Sequence, residues 1–248
     1  MEKPPLKPLS LTIFFPCHNE QDNVERVTRQ AVEVGRKVAD DLEVIIVDDG
    51  SKDRTAEIAD RLATEIPEVR AVHNNPNRGY GGALQRGFRE ARCNWIFYTD
   101  GDGQFDFGEL PDVLPLLEQY DIVSCYRLKR QDSIMRKLNA FAWTTLVNML
   151  FHIRLRDIDG AFKIYPKPFI DTIELHSEGA LIDTEMLAKA RAHGLSIGQA
   201  GVHHYPRIAG EQSGANLKVI ARAFKELFKL YGRIKRERRQ RHGRHPSA

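Results

Sequence analysis

The sequence predicts an α/β protein with a mostly parallel sheet covered by helices, and three observations carry that expectation. Short apolar runs rich in Val, Ile and aromatic residues alternate with segments whose apolar residues recur at helical spacing. Each of the first four runs ends in a cluster of Asp, Asn, Gly or Pro. With 248 residues, 42% hydrophobic and 29% charged, the chain is long enough for one large domain with a buried core.

The first predicted strand, Leu11–Phe15, runs into PCHNE (Pro16–Glu20). Val24, Val27, Ala31, Val34 and Val38 then mark a helix by their spacing. Glu43–Asp48 is the second strand, closing in VDDGSKD (Val47–Asp53), and Arg54–Glu65 the second helix with Asp53 as its N-cap. Val69–Asn74 leads into NNPNRGYGG (Asn74–Gly82), followed by a helix over Gly82–Ala91. Trp95–Asp100 is the fourth strand, ending in DGDGQ, and Asp121–Tyr126 the fifth. Further on, Phe141–Phe151 (FAWTTLVNMLF) is apolar nearly all round at helical length, either a buried helix or one dipping into a bilayer interface. Ala180–Ala192 reads as a helix whose first turns carry Asp183 and Glu185. Such alternation implies parallel strands with the ligand site at their carboxyl ends, so the four polar clusters meet at one edge. A single Asp-Gly or Asn-Gly pair is ordinary turn punctuation; four in register are a site.

Composition narrows the classes. Cys17, Cys93 and Cys125 are scattered without metal-binding spacing, which predicts neither disulfide nor zinc and fits a reducing cytosol. The N-terminal apolar run is too short for a signal peptide, and no segment reaches the roughly 20 apolar residues of a membrane span. The expected place is therefore cytoplasmic, peripheral at the membrane. Charge is uneven: from Ala215 onward there are 11 Lys and Arg against 2 Glu, whereas the rest of the chain is net acidic. The expected segments are an extension over 1–10, a catalytic domain over 11–210, and a basic amphipathic helix and tail over 211–248. In that last segment Leu217, Ile220, Phe224, Leu227, Phe228, Tyr231 and Ile234 form one apolar stripe flanked by Lys218, Arg222, Lys225 and Lys229. This is the pattern of a helix lying on anionic lipid, the favoured reading; the alternative packs the stripe on the domain. No nucleic-acid-binding signature accompanies the basic end, so no nucleic-acid partner is expected.

The stretch YTDGDGQFDFG (Tyr98–Gly108) carries the chemistry. An EF-hand loop starting at Asp100 would need Gly and Glu where Phe105 and Pro111 stand. A dinucleotide fingerprint would follow the first strand, whereas the glycines here follow the third and reach Leu84 at the last glycine position; no P-loop GKS or GKT occurs either. What remains is a carboxylate pair, Asp100 and Asp102, at a strand end. It suits Mg²⁺ or Mn²⁺ with open positions for phosphate oxygens, an ion that neutralises charge on a diphosphate leaving group.

PCHNE, VDDGSKD, the segment Asn77–Ala83 and TDGDGQ together resemble a family 2 glycosyltransferase of the GT-A fold. DIVSCYR (Asp121–Arg127) and DIDGAFK (Asp157–Lys163) are similar to the branch of dolichol-phosphate mannose synthase and bacterial polyprenyl-phosphate glycosyltransferases. The likeness runs from about Leu11 to Arg207 and implies a metal-dependent, inverting transfer of a hexose from a UDP- or GDP-sugar to a polyprenyl phosphate. It implies that Pro16, His18, Glu20, Asp49, Asn77, Gly79, Asp100 and Gly101 bind the nucleotide sugar, although the family commonly has Tyr where His18 stands. Asp100, Asp102 and Gln104 would hold the metal. Arg127, Arg136 and Arg207 would take the acceptor phosphate, for which a bidentate, always-charged guanidinium is suited. Asp102, Arg127, Arg207 and Asp159 would act at the reacting centre, with Asp157 and Asp159 binding sugar or ordering arginines. Many relatives carry transmembrane helices after the catalytic domain; here the basic helix or a membrane-protein partner would replace them. A hydroxyl acceptor would instead need a carboxylate base, with Asp183 and Glu185 as candidates, unless these merely open a solvated helix. A non-catalytic nucleotide-sugar-binding protein at the membrane surface is the other class to separate.

Overall fold

A computed structural model describes residues 2–128, 134–207 and 217–243; the side chains at 134–137, 217–223 and 238–243 lie outside that description. In chain order the elements are β1 (Ser10–Cys17), α1 (Val24–Val38), β2 (Asp41–Asp48), α2 (Thr55–Glu65), β3 (Val69–His73), α3 (Gly79–Glu90) and β4 (Trp95–Thr99). Two 3₁₀ turns, Phe107–Glu109 and Leu114–Glu118, flank the short α4 (Leu110–Val113). Then come β5 (Ile122–Ser124), β6 (Tyr126–Leu128), α5 (Ile134–Phe151), β7 (Phe162–Pro166), α6 (Lys167–Ile170), α7 (Leu181–Ala192), β8 (Ile197–Gly198), β9 (Gly201–His203) and α8 (Leu217–Gly243).

The main sheet has the order β3-β2-β1-β4-β7-β5-β8, and β6 and β9 form a separate parallel pair. Strands β1 to β4 run parallel to one another, with Leu11 opposite Leu42 and Trp95. Their carboxyl ends therefore lie on one edge, as the polar clusters required. The sequence reading missed β7, which runs antiparallel to both β4 and β5. Its residues FKIYP are all buried, but the segment lacks the flanking βα alternation that exposed the others. The predicted fifth strand also divides. Cys125 N–H still donates to Phe162 O at 3.0 Å, whereas Tyr126 N–H donates to Ala200 O at 2.9 Å, so the chain changes sheets between two adjacent residues.

The core fills both faces of the sheet. Phe14 meets Phe88 edge-on with ring centroids 4.9 Å apart, and Phe88 meets Tyr98 and Tyr165 at 5.5 and 5.7 Å, all four rings being fully buried. Edge-to-face contacts of this kind add about 1 kcal/mol each beyond area burial. Cys17, Cys93 and Cys125 are buried free thiols.

Three helix expectations need correction. Asp53, expected as the N-cap of α2, sits one residue before the cap, Arg54, although its Oδ1 still accepts the Thr55 N–H at 3.0 Å. α3 begins at Gly79, three residues before the expected start. Glycine is a poor helix former, but Asn77 Oδ1 accepts the Gly79 N–H at 2.9 Å and Glu178 O accepts from Gly81 at 2.8 Å, so partners outside the helix hold its first turn. Asp183 and Glu185 do not open a solvated helix: they are 3% and 0% exposed, because the first turns of α7 are covered on every side.

The stripe expected on α8 also divides. Leu227, Leu230 and Ile234 are buried with Val147 and Phe151 of α5 and Leu187 of α7, forming a second apolar cluster. Phe224 and Phe228 remain 41% and 58% exposed. Among the described residues no helix is long and apolar enough to cross a membrane.

Candidate active site

The site is assembled from the strand ends. Pro16 is the penultimate residue of β1, and Gly101 packs against it so closely that a Cβ there would lie 2.5 Å from the Pro16 carbonyl oxygen. Only glycine brings the end of β4 this near to β1. Asp49, just beyond β2 and buried, organises the adjacent rim. Its Oδ1 accepts from Asn74 Nδ2 and from the Arg78 N–H, each at 2.9 Å, while its carbonyl accepts from Asn77 Nδ2 at 2.6 Å and from His18 Nδ1 at 3.0 Å. Gly79 follows with φ +75°, the left-handed turn that starts α3. Tyr80, one residue on, donates its hydroxyl to Asp100 Oδ1 at 3.2 Å. Sequence reasoning singled out His18, Asp49, Asn77, Gly79, Asp100 and Gly101 but not Tyr80, whose only signal was its place inside the glycine-rich turn.

Beyond β4 the acids gather. Asp102 Oδ1 accepts the Gln104 N–H at 3.1 Å, a local turn that fixes the loop. Gln104 ties this loop to the chain after β9: its side-chain amide donates to Tyr205 O and its own carbonyl accepts from Tyr205 N, both at 2.8 Å. That strap delivers Arg207, whose guanidinium pairs with Glu20. Burial raises the Glu20 carboxyl above its ordinary value, against the opposing pull of Asn23 and Arg207. Burial, then the charges of Asp102 and Asp183, push Asp100 up to about 7, with Tyr80 and Arg127 pulling the other way. Asp159 is pushed up to about 6 by burial, Asp183 and Asp157, against Lys163 and Arg127.

The cations facing these acids are held in turn. Asp157 grips Arg127 in bidentate fashion, accepting from Nε at 2.7 Å and Nη2 at 2.9 Å. Such a fork fixes the guanidinium plane, and the nearby charges of Asp157, Asp159 and Asp100 hold it protonated despite burial. Behind the site Lys163, wholly buried, donates to Gly160 O at 2.6 Å, Tyr98 Oη at 3.0 Å and Asp183 Oδ1 at 2.5 Å, and Tyr98 also donates to Asp183. The side chain of Arg136 lies outside the described residues. Lys163 and its acid were not foreseen as a pair, because a lysine in a strand and an aspartate on a helix 20 positions away share no local pattern.

The chain is similar to known proteins. The model of the family described as "Glycosyl transferase family 2" matches residues 12–173. The chain belongs to that family. It is 30% identical over 210 residues to glycosyltransferase AglD of Haloferax volcanii, covering 80% of this chain and 34% of that protein. It is 28% identical over 219 residues to the undecaprenyl-phosphate 4-deoxy-4-formamido-L-arabinose transferase of Pseudomonas fluorescens, covering 86% of this chain and 62% of the relative. A dolichyl-phosphate beta-glucosyltransferase of Dictyostelium discoideum is 28% identical, with 81% and 68% covered. The chain thus spans only a third to two thirds of the length of these relatives. Among solved structures, the glucosyl-3-phosphoglycerate synthase of Mycobacterium tuberculosis, in complex with Mn²⁺, UDP and glucosyl-3-phosphoglycerate, superposes with TM-score 0.69 at 18% identity, covering 90% of this chain and 79% of the other. The fold is therefore GT-A.

As a family 2 glycosyltransferase, the chain has a donor set that fits a divalent cation. Asp100 and Asp102 are hard oxygen donors on one turn, and their mutual repulsion is what an added positive charge relieves. Among the described residues no three His, Cys, Asp or Glu side chains form a cage.

Proposed function

We propose that the chain is a metal-dependent, inverting glycosyltransferase that moves a hexose from a UDP- or GDP-sugar to a polyprenyl phosphate at an anionic membrane surface. The observation carrying this reading is the pairing of the Asp100–Asp102 turn with a guanidinium, Arg127, locked in place by Asp157. Acids seat a cation; a fixed guanidinium seats phosphate.

Asp100 and Asp102 would hold Mg²⁺ or Mn²⁺, with Gln104 beside them. When bound, the ion neutralises charge gathering on the departing diphosphate. Pro16, His18, Asp49 and Asn77 form the nucleoside rim, and Glu20 restrains Arg207 above it. Arg127 and Arg207 would orient the acceptor phosphate, and Asp159 would meet the sugar. An acceptor oxygen attacks the anomeric carbon, its bond to the diphosphate oxygen breaks, and the configuration inverts. A phosphate monoester, with a second pKa of about 6, is already largely dianionic at neutral pH and needs no base. Two findings favour this over a hydroxyl acceptor. Asp183 is committed to Lys163 and Tyr98, and Glu185 accepts backbone N–H groups from His176 and Ser177; and relatives are named as undecaprenyl- and dolichyl-phosphate transferases.

Lipid contact is supported by α5 and α8. Leu138, Phe141 and Met149 on α5 are 58%, 70% and 69% exposed, on the same helix face as the uncharged Ala142 and Thr145. On α8, Phe224, which Trp143 of α5 meets edge-on at 5.8 Å, and Phe228 are exposed with the exposed Lys225 and Lys229 next to them. Exposed apolar side chains with lysines next to them match an anionic bilayer.

The test is a radiolabelled donor assay with polyprenyl phosphate and Mn²⁺. Lipid-soluble label that vanishes in Asp102→Ala is expected. Transfer only to a hydroxyl, or donor binding with no transfer to any acceptor, would refute the proposal.

A further inference from the structure

Glu185 is a fully buried carboxylate that the proposed chemistry does not use. It lies on α7, and its contacts run in two directions. Toward the active site, Glu185 Oε2 accepts the Ser177 N–H at 2.8 Å and the His176 N–H at 3.1 Å. These bonds hold the segment before α7, and that segment caps α3. Glu178 O accepts from Gly81 N at 2.8 Å and Gly82 N at 3.3 Å, and Ser177 O accepts from Gln85 Nε2 at 2.8 Å. The fit is close: a Cβ on Gly81 would lie 2.4 Å from the Ser177 carbonyl oxygen. The first turn of α3 in turn supplies the Arg78 N–H to Asp49 and the Tyr80 hydroxyl to Asp100.

Toward the C-terminus, Glu185 faces α8. Arg233 Nη1 of α8 and Lys189 Nζ of α7 each stand 3.9 Å from Glu185 Oε1, and Lys189 Nζ also pairs with both oxygens of Glu237 at 3.0 and 3.1 Å. A buried carboxylate is costly unless paired. Here one of the two cations that make it tolerable comes from the basic helix.

We propose that Glu185 is a positioning residue through which the C-terminal helix sets the donor-binding turn of α3. On this basis α8 is part of the donor site's support, and a membrane-facing helix is mechanically joined to nucleotide-sugar affinity. The chain of contacts is contiguous: Arg233 to Glu185, Glu185 to Ser177 and His176, Glu178 to Gly81 and Gly82, Tyr80 to Asp100. The consequence for donor binding rests on the functional reading above; the consequence for the α3 turn does not.

The experiment uses the full chain in three forms: wild type, the isosteric Glu185→Gln, and Arg233→Met at a half-exposed position. Donor Kd is measured by titration with UDP- and GDP-sugars in Mn²⁺, kcat at saturating donor, and exchange of the Gly81 and Gly82 amide hydrogens by mass spectrometry. Glu185→Gln is expected to raise donor Kd about tenfold, the scale of one charge-assisted hydrogen bond. Arg233→Met should shift it the same way by a smaller factor, with kcat held within about twofold because no reacting group changes. Both variants should speed exchange at Gly81 and Gly82. If Glu185→Gln fails to fold, Arg233→Met decides alone. Wild-type donor Kd and wild-type exchange in the folded variants, with only a lower melting temperature, would overturn the proposal. A wild-type chain that binds no nucleotide sugar would instead sink the functional reading, and the exchange data would still judge Glu185.

Discussion

Replacing Lys163 by Met removes a buried cation while nearly preserving its volume, and the structure sets the size of the effect. Asp183 would keep the Tyr98 hydroxyl but lose the ammonium 2.5 Å away, inside a core where it is only 3% exposed. Removing one member of a buried pair costs about 3–5 kcal/mol. The variant has one escape, protonation of the orphaned acid, and that sets a ceiling. For a carboxyl of ordinary pKa about 3.9, binding a proton at pH 7 costs about 4 kcal/mol, and at pH 5 only about 1.5 kcal/mol. Urea unfolding should therefore show Lys163→Met losing about 4 kcal/mol at pH 7 and less than half of that at pH 5, with the denaturant slope unchanged. Pairing it with Asp183→Leu should recover much of the pH 7 loss, because an apolar pair of similar volume carries no orphaned charge. The function should follow, since Lys163 also holds Gly160 O in the loop bearing Asp157 and Asp159. A pH-independent loss, or one under about 1 kcal/mol at pH 7, would refute the reasoning.

Three further outcomes are expected. Because burial and Asp102 raise Asp100 to about 7, the metal-free protein holds a proton there that the unfolded chain has shed. Its stability should thus fall as pH rises from about 4 toward 7, and thermal-shift titration should show Mn²⁺ stabilising it more at pH 8 than at pH 6; equal stabilisation at both would count against the site. Asp157→Asn leaves Arg127 half-anchored, since an amide accepts on one side only; activity should drop about tenfold or more, read as kcat/KM for the acceptor. His73 lies between Asp48 and Asp60, 3.0 Å from each, and although burial opposes its charge these bonds raise its pKa. Its contribution is complete below about pH 6.5 and fades as pH rises through the raised folded value, so His73→Gln should narrow the stability gap between pH 6 and pH 8 in urea melts.

Local pattern determined much of this protein. β1 to β4, the helices between them and the meeting of four polar clusters at one edge follow from side-chain periodicity and from the geometry of parallel strands, both properties of short stretches of chain. The closeness of the two acids of the DGDGQ turn was legible because near neighbours on one turn stay together whatever the fold does elsewhere. The rest depended on contacts between distant segments. β7 became central only by pairing antiparallel with β4, some 65 residues earlier in the case of Lys163 opposite Tyr98. The grip of Asp157 on Arg127 and the burial of Lys163 with Asp183 arise where separate elements converge. Periodicity on α8 marked apolar residues, but it took the packing of Leu227, Leu230 and Ile234 on α5 and α7 to separate the buried face from the exposed Phe224 and Phe228. A sequence records which residues are apolar or charged; which of them lose water is decided by what the fold lays against them.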